Sequence, residues 1–444
     1  MLNLILIGFL IVSFFFFPAR FIDKEIIILL LGINFKVFIK YFKDKKGYMI
    51  LGLLLVLYLI VAYFIHTPYK INISDMVMYY NEVFSFFVLP FTVYVILKNT
   101  KITEKQWKII KIFIICCFIF IAYYSIYNYA FNRNLSQSGI GSLDIVGRVK
   151  GFFGNPNLYG VFLTLMISSI LYWSINKKKS ILNYCCLALA MLLIPFTFSR
   201  SSFIVMGLCI AILLILNIYF YAKNKDTHYK RNIIVIVLSL CSIFFVFQTR
   251  YLLYSSTNLV DKMLNTNIAS ILKMSNKDEE LFDYIDDYNS RNNSSLNTRQ
   301  LFYNVGKGIY KEHMLFGVGK PYYTSIYVPE YYKEHNIKDI YPGLPHNAYV
   351  YLLASIGLIG TILYLSIFGL LIKKNFVNLI KNKNFISTGP LLLLLVFIIN
   401  NLHAEFFVND VRVMTMFLIL LAIVEHEVKI RTKKIHSIQQ NTIV

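Results

Sequence analysis

The stretch HNAYVYLLASIGLIGTILYLSIFGLLI, residues 346–372, decides the fold class, because no charged residue follows His346 until Lys373. A helix of about 20 mostly apolar residues crosses the hydrocarbon core of a bilayer. Backbone N–H and C=O groups in lipid must be satisfied within the segment, which favours a helix. The stretch therefore predicts a membrane-spanning helix that begins directly after a histidine and an asparagine.

Apolar runs of this kind recur along the whole chain. The 444 residues are 57% hydrophobic and have a mean hydropathy of +0.60, values that exclude an ordinary soluble protein. The runs long enough to span a bilayer are 3–17, 25–41, 47–65, 76–97, 109–131, 156–176, 180–198, 202–221, 232–249, 347–372, 385–402 and 411–428. The sequence thus predicts an all-α polytopic membrane protein with about twelve transmembrane helices.

Basic residues concentrate in alternate loops between these runs. The net charge is +21, and lysine and arginine cluster in the segments 40–46, 98–108, 177–179, 223–231, 373–383 and 429–434. Short loops that stay in the cytoplasm carry the excess of Lys and Arg. We therefore expect both termini in the cytoplasm, His346 on the outer side, and membrane lipids rather than nucleic acid as the partner of this charge.

The chain divides at its one long polar segment. Residues 1–249 hold nine predicted membrane helices, residues 250–345 form a large extracytoplasmic loop between helices 9 and 10, and residues 346–444 hold three more helices and a basic cytoplasmic tail. Loops of this length are usually functional or disordered. The second half of the loop predicts an amphipathic helix from Thr298 to about residue 312, and we expect this half to fold onto the membrane helices.

Nothing in the sequence predicts a metal, a nucleotide or another cofactor. All six cysteines fall inside apolar runs and no pair has zinc-finger spacing, which favours buried thiols. GVGK at 317–320 lacks both the spacing of a phosphate-binding P-loop and its following Ser or Thr. The functional residues are therefore expected among the polar side chains of the outer face.

The first outer cluster is VGRVKGFFGNPNLYG, residues 146–160. Arg148 is a cation on the side that avoids cations, and Asn155 and Asn157 flank Pro156, which suits the first turn of a helix. The free N–H groups of that turn favour an anion. The cluster predicts anion binding, with an ordinary capped loop as the alternative.

The second and third clusters each present one arginine. FTFSRSSF, residues 196–203, places Arg200 in a tight outer turn, where an arginine either serves a function or snorkels to lipid headgroups. NTRQLFYN, residues 297–304, opens the predicted loop helix with Arg299 and brings Tyr303 one turn further on. The third signal is weak by itself, since a loop arginine is usually solvated.

The fourth cluster is the start of the opening stretch, where Pro345 and His346 stand at a helix N-terminus. The helix dipole there disfavours an imidazolium, and a neutral imidazole suits a general base. Gly357 and Gly360 predict a bare helix face that allows close packing. The alternative for His346 is a simple helix-cap histidine.

Other polar residues have simpler interpretations. Glu405 and Asp410 are expected to pair locally near Arg412, although they also lie where the rim of a site would be. His403 is expected to be a surface or packing residue. Glu82 is a lone intramembrane acid, and its functional interpretation is that it orients an arginine or contacts a sugar hydroxyl.

Outward arginines beside one neutral histidine suit a phosphorylated lipid as substrate. Arginine binds phosphate through two hydrogen bonds at once. A polyprenyl pyrophosphate that carries a glycan has its tail in lipid, its pyrophosphate at the interface and its glycan in water. Membrane helices fit the lipid tail, arginines at the membrane boundary fit the pyrophosphate, and an outer loop fits the glycan.

Residues 346–361 resemble the motif of the O-antigen ligase and O-antigen polymerase superfamily: a histidine, a small polar residue, nine residues and then G-x-x-G-T. Here the motif is filled by His346, Asn347, Gly357, Gly360 and Thr361. RVKGFFGNPNLYG, FSRSS, TRQLFYN and MLFGVGKPYY resemble further blocks of the family in the same order, so that the resemblance covers about residues 145–370. It implies a GT-C-like fold in a bacterial cytoplasmic membrane.

The resemblance also implies an activity. The protein would be an inverting membrane glycosyltransferase that takes a glycan from a polyprenyl pyrophosphate and needs neither metal nor nucleotide. His346 would take the proton of the acceptor hydroxyl, while Arg200 and Arg299 would hold the pyrophosphate and stabilise its departure. The substrate-binding residues would be Arg148, Asn155, Asn157, Asn347, Tyr303 and Tyr322.

The acceptor stays open at this point. Polymerisation of surface polysaccharide repeat units is favoured, with transfer to lipid A core by a ligase and transfer to protein as alternatives that share the donor site. A transporter or flippase for the same lipid-linked glycans, or a structural assembly partner, is a different class that also fits twelve spans. A flippase and a chain-length regulator are expected partners of the enzyme.

Overall fold

The computed structural model consists almost entirely of helices, which confirms the all-α prediction for the part of the chain that it describes. The described residues are 2–16, 22–44, 46–66, 77, 89–100, 102–131, 149–153, 155–175, 181–197, 199–224, 233, 237, 298–337, 343–382 and 385–441. Glu82, Arg148 and most of the predicted outer loop lie outside these ranges.

The first half of the chain forms helices of 10 to 28 residues. They are α1 (Leu2–Phe16), α2 (Ile22–Ile33), α3 (Phe35–Asp44), α4 (Lys46–His66), α5 (Leu89–Asn99), α6 (Glu104–Phe131), α7 (Pro156–Ile175), α8 (Ile181–Thr197) and α9 (Arg200–Asn224). Pro156 stands at the first position of α7, as predicted, because its fixed φ suits a helix start and its missing N–H is not needed there.

The second half adds the helices that carry the histidine motif. They are α10 (298–312), α11 (320–334, made of α-helix Lys320–Tyr322, π-helix Tyr323–Tyr327 and α-helix Val328–Glu334), α12 (Ala348–Asn382), α13 (Gly389–His403) and α14 (Val411–Asn441). Single turns at Phe385–Thr388 and Phe406–Asn409 flank α13. The predicted amphipathic helix over 298–312 is confirmed, and its Val305 and Ile309 are buried.

Four of these helices contain stretches long and apolar enough to cross a membrane: Glu104–Tyr127, Pro156–Trp173, Ser201–Tyr219 and Ala348–Asn382. Shorter apolar helices lie at Ile50–Ile65, Ile181–Thr197 and Gly389–His403. The chain is therefore an all-helical integral membrane protein. The count of twelve spans, the placement of the outer loop and the cytoplasmic position of both termini stay predictions.

One predicted run is divided. The run at 25–41 forms two helices, because α2 ends at Ile33 and α3 begins at Phe35. Between them, the side-chain amide of Asn34 donates to Leu30 O at 2.9 Å and exchanges hydrogen bonds of 2.9 Å with Asn3. The backbone ladder continues through this residue, since Asn34 N donates to Leu30 O at 3.0 Å and Phe38 N donates to Asn34 O at 2.9 Å, so that α2 and α3 follow one another without a loop.

Helix α7 is the centre of the bundle. Its apolar stretch Pro156–Trp173 is almost entirely buried. In α6 and in α12, only about half of the corresponding apolar stretch is buried. Helix α7 packs against α8, α9, α13 and α14. A helix that is apolar on all sides belongs inside the protein rather than at its lipid surface. The site residues at its N-terminal end are therefore held by four neighbouring helices.

Helix α12 is broken at Gly357, which has φ 65° and ψ −176°. The loop before α11 crosses the break and satisfies the free backbone groups on both sides. Val318 N and Gly319 N donate to the carbonyls of Ala354 and Ser355 at 2.9 and 2.8 Å, while Leu358 N donates to Met314 O at 2.8 Å. Backbone in lipid needs such partners, so the break and the loop require each other.

The predicted close packing at Gly357 and Gly360 is confirmed at both residues, although the helix is broken at the first of them. Gly357 is needed for its positive φ, and a Cβ there would overlap Leu315 O. Gly360 allows the close approach of Tyr58 from α4, whose ring would lie 2.6 Å from an added Cβ. The Tyr58 hydroxyl donates to Ile356 O, the last carbonyl before the break, and lies 3.0 Å from Phe316 O.

Candidate functional site

Asn347 ties the start of α12 to the end of α13. Its Oδ1 accepts hydrogen bonds from the backbone N–H groups of Tyr349 and Val350, at 3.0 and 3.1 Å, as a helix N-cap does. Its Nδ2 donates to Leu402 O at 3.1 Å. Both the oxygen and the nitrogen of the amide are thus hydrogen-bonded to backbone groups, which gives Asn347 a positioning role. Its contact with substrate stays a prediction.

His346 lies beside Glu405. Its Nδ1 is 3.6 Å from Glu405 Oε2, and the side chains are 34% and 6% exposed. His346 also has φ 50°, a left-handed backbone that only a few per cent of non-glycine residues adopt. Backbone strain of this kind clusters at functional sites. The imidazole is therefore half-open to the surface on one side and backed by a buried carboxylate on the other.

The prediction that Glu405 and Asp410 both pair locally is wrong for Glu405. Asp410 does bind Arg412, through Nε at 3.0 Å and a second nitrogen at 2.6 Å. Glu405 instead faces the histidine across from it, because the turn Phe406–Asn409 directs the two acids to different sides. Only the tertiary structure brings residues 346 and 405 together.

Helix α10 packs over the histidine. The rings of Phe302 and His346 lie 5.9 Å apart, and Gly306 lets Pro345 approach so closely that an added Cβ would be 2.9 Å from its ring. Arg299, at the start of this helix, is partly buried. Its positive charge acts on the imidazole of His403 at the end of α13. The third and fourth sequence clusters are thus neighbours.

The first and second clusters also meet. Val149 N donates to Phe196 O at 2.8 Å, which joins the segment before α7 to the end of α8. Gly160 on α7 faces the start of α9, where an added Cβ would overlap Ser202 Oγ and lie 3.0 Å from Ser199 Cβ. The N-terminal end of α7 and the turn that carries Arg200 are therefore packed together.

The residues predicted in these two clusters occupy different positions, and the structure does not describe all of their side chains. Asn155 caps α7, since its Oδ1 accepts from Asn157 N at 2.8 Å. Asn157 is partly buried. Arg200 begins α9, and the position of its side chain lies outside the described part, as does Arg148. Their contacts with substrate stay predictions.

The aromatic candidates are less open than the sequence suggested. Tyr303 is partly buried, and Tyr322 is only 7% exposed. Tyr322 belongs to α11, whose neighbouring Tyr323 packs edge-on against Tyr351 of α12 with ring centroids 5.4 Å apart. Stacking of Tyr322 on a sugar would therefore require α11 to move.

Residues 400–405, at and just after the end of α13, link α7 to the start of α12. Asn400 Nδ2 donates to Thr164 Oγ1 of α7 at 3.3 Å, Leu402 O accepts from Asn347 Nδ2, and Glu405 lies beside His346. The sequence predicted no more for this segment than a place for Glu405 at the rim of a site. Its signal was NNLHAE, five polar or small residues in six at the end of an apolar run.

Three buried polar atoms of residues 400–405 lack a hydrogen bond among the described residues. They are Asn400 Oδ1, Asn401 Oδ1 and Glu405 Oε2, whose residues are 1%, 2% and 4% exposed. An unsatisfied buried acceptor costs roughly 1–3 kcal/mol. Native proteins retain few such groups, and those that remain need an explanation, of which a catalytic role is one.

Comparison with known proteins gives a family match over a segment that contains part of this site. Residues 185–365 match the family model of O-antigen ligase. The resemblance to the O-antigen ligase and polymerase superfamily is thereby confirmed over this segment, which runs from α8 through the break in α12. The O-antigen ligase match includes Arg200, Arg299 and His346, whereas α7 precedes it and Glu405 follows it. No curated protein matches the chain.

The family match supports a function in glycosyl transfer during polysaccharide synthesis at a membrane. The substrates implied by an O-antigen ligase segment are a lipid-linked glycan and an acceptor. Among the described residues, no group of three or more His, Cys, Asp or Glu side chains is placed to hold a metal ion.

Proposed function

We propose that the protein transfers a glycan from a polyprenyl pyrophosphate to an acceptor hydroxyl, and that it polymerises surface polysaccharide repeat units. The observation that carries this proposal is the His346–Glu405 pair, with 3.6 Å between Nδ1 and Oε2, at the point where helix α10 packs over the start of α12. A half-open histidine backed by a buried carboxylate is the arrangement of a general base.

The proposed reaction begins at the acceptor hydroxyl. With the Nδ1 proton directed to Glu405, Nε2 is the basic nitrogen and takes the hydroxyl proton. The hydroxyl oxygen attacks the anomeric carbon and forms the new glycosidic bond. The bond from that carbon to the pyrophosphate oxygen breaks, and polyprenyl pyrophosphate leaves with the electron pair. Attack from the face opposite the leaving group inverts the anomeric configuration.

Arginine supplies the charge that the leaving group needs. Arg299 is partly buried, and a cation in a partly dry site interacts with phosphate far more strongly than one in water. Arg200 stands at the start of α9, next to the capped start of α7. We assign both to the pyrophosphate, which they bind and stabilise as its negative charge develops.

The proposed orientation places this site at the outer face of a bacterial cytoplasmic membrane. Basic loops lie at the opposite end of the bundle, where Lys373, Lys374 and Lys429 are found, and such loops stay in the cytoplasm. The donor tail would then lie in the outer leaflet, and both termini would be cytoplasmic.

Two other functions are each favoured by one observation. The matched family model is described as O-antigen ligase, which favours lipid A core as the acceptor. The break of α12 at Gly357 is a feature that membrane transporters use at their binding sites, which favours a transporter of lipid-linked glycans. Both alternatives predict outcomes that differ from a polymerase.

The test uses the full chain purified into lipid with a polyprenyl pyrophosphate-linked repeat unit and no nucleotide. We expect a ladder of glycans and released polyprenyl pyrophosphate, both lost in His346→Ala and Arg299→Ala. The matched controls are His335→Ala and Lys311→Ala, which should keep full activity. His335 directly follows α11, Lys311 lies on α10, and both are exposed.

Each alternative has its own outcome. Glycosylation of added lipid A core without a ladder would identify a ligase and refute the polymerase. If His346→Ala melts at the same temperature as the unmodified protein and retains full activity, the histidine is not the base. Movement of the lipid-linked glycan across the bilayer without release of polyprenyl pyrophosphate would establish a transporter.

A further inference from the structure

A cavity of about 750 Å³ lies at the end of the bundle opposite His346. It is formed where α5 ends, α12 ends and α14 passes between them. The start of α12 and Lys373 are separated by roughly 40 Å, at about 1.5 Å per helical residue. The cavity is therefore remote from the proposed glycosyl-transfer site, and nothing in the proposed mechanism uses it.

The lining of the cavity is basic. Among the described residues, Lys98, Lys373, Lys374 and Lys429 face it together with one acid, Glu425. Four cations against one anion leave an excess of positive charge in this open cavity. Like charges placed this close repel one another, so the arrangement favours an anion that would neutralise them.

Glu425 does not supply that anion, because its charge is already compensated. Its carboxylate is buried and accepts from Lys98 at 2.6 Å, Lys374 at 2.9 Å, Asn375 Nδ2 at 2.8 Å and Tyr94 Oη at 2.8 Å. It fixes two of the lysines in place at the floor of the cavity. Lys373 and Lys429 remain exposed at its mouth.

Part of the remaining lining is apolar and the rest is made of neutral polar side chains. Leu370, Val377 and Val428 face the cavity beside asparagines such as Asn99 and Asn378, and Val377 adjoins Phe376, which is 53% exposed. Exposed apolar side chains beside a basic cavity suit a molecule with an anionic head and an apolar body. A free phosphate ion would use the lysines alone.

We infer that this cavity binds the phosphate headgroup of an anionic phospholipid, whose acyl chains lie against the exposed apolar side of α12. With the orientation proposed above, the lipid belongs to the inner leaflet. Basic pockets between membrane helices on the cytoplasmic side bind anionic headgroups in this way. Occupation would join α5, α12 and α14 and so stabilise the fold by binding the native state alone.

The experiment measures the melting temperature of the purified full chain in detergent as lipid is added. Dioleoylphosphatidylglycerol should raise it at lower concentration than zwitterionic dioleoylphosphatidylcholine, and native mass spectrometry should show the retained anionic lipid. In the double variant Lys373→Gln, Lys429→Gln the apparent affinity should fall about 30-fold, which corresponds to about 1 kcal/mol for each lysine near a lipid phosphate.

The matched control is Lys105→Gln, Lys108→Gln, which removes the same charge from exposed positions on α6 that do not line the cavity. It should keep the affinity of the unmodified protein. Equal loss in both double variants, or equal stabilisation by both lipids, overturns the inference. Stabilisation by sn-glycerol 3-phosphate as strong as that by phosphatidylglycerol overturns the assignment to a lipid. None of these outcomes depends on glycosyl transfer.

Discussion

Replacement of Glu405 by glutamine tests the proposed base directly. The substitution removes the carboxylate charge and keeps nearly the same shape. As His346 takes a proton, the imidazolium would gain the attraction of that charge 3.6 Å away. Glutamine cannot supply it, so we expect kcat to fall while KM for the donor changes little.

The size of the effect follows from the geometry. At 3.6 Å, Coulomb's law gives about 4.6 kcal/mol at an effective dielectric constant of about 20 and about 1.2 kcal/mol at that of water. His346 is 34% exposed and Glu405 is buried, so we take a value between these limits, about 2–3 kcal/mol, which lowers kcat roughly 30- to 160-fold.

The assay is the initial rate of polyprenyl pyrophosphate release in reconstituted lipid. Glu405→Asp should restore part of kcat because it restores the charge, and Asp410→Asn should not reproduce the loss, since Asp410 binds Arg412 and not the histidine. The melting temperature of Glu405→Gln should not fall, because Oε2 has no hydrogen bond to lose among the described residues. Activity of Glu405→Gln within threefold of the unmodified protein would refute the reasoning.

Three further substitutions test the structure around the site. Gly357→Ala forces a Cβ onto a backbone with φ 65° and should destabilise the protein by about 1–3 kcal/mol, measured as a lower melting temperature. The control is Gly369→Ala, whose Cβ meets open space and which should leave the melting temperature unchanged. Asn347→Ala loses the cap of α12 and the bond to Leu402 O, which should cost about 1–2 kcal/mol, whereas an unchanged melting temperature would show that the cap contributes nothing. Glu425→Gln leaves two lysines without their buried counter-charge and should destabilise by about 3–5 kcal/mol; a variant as stable as the unmodified protein in chemical denaturation would contradict this.

The parts of the fold that the sequence predicted depend on local chemistry. Apolar runs identified helices α4, α6, α7, α8, α9, α12 and α13 near their observed bounds, because apolar length and backbone satisfaction are properties of each segment. The start of α7 at Pro156 and the helix over 298–312 were predicted for the same reason. The run at 25–41 was predicted as one helix and forms α2 and α3 on either side of Asn34, whose hydrogen bonds to Asn3 join residues that are distant in sequence.

The candidate site was predicted in its components and not in its assembly. His346, Arg200 and Arg299 stood out as polar residues at membrane boundaries and lie within the matched family segment. Glu405 was assigned to the wrong partner, because a local pairing with Arg412 is the nearest option along the chain. The packing role predicted for Gly357 is confirmed, but the helix break was not predicted, since a sequence does not show that a loop will cross a helix at that residue.

The sequence by itself determined that this protein is a membrane-embedded helical protein, and it predicted polar residues at the ends of several helices. Those properties follow from the number and spacing of apolar residues, which each segment carries alone. The tertiary structure decided which of these ends meet: it joined α7 to α9, α10 to α12, and Glu405 to His346. Such contacts depend on how helices pack in three dimensions, and the contact between residues 346 and 405 exists only after α13 has folded back beside α12.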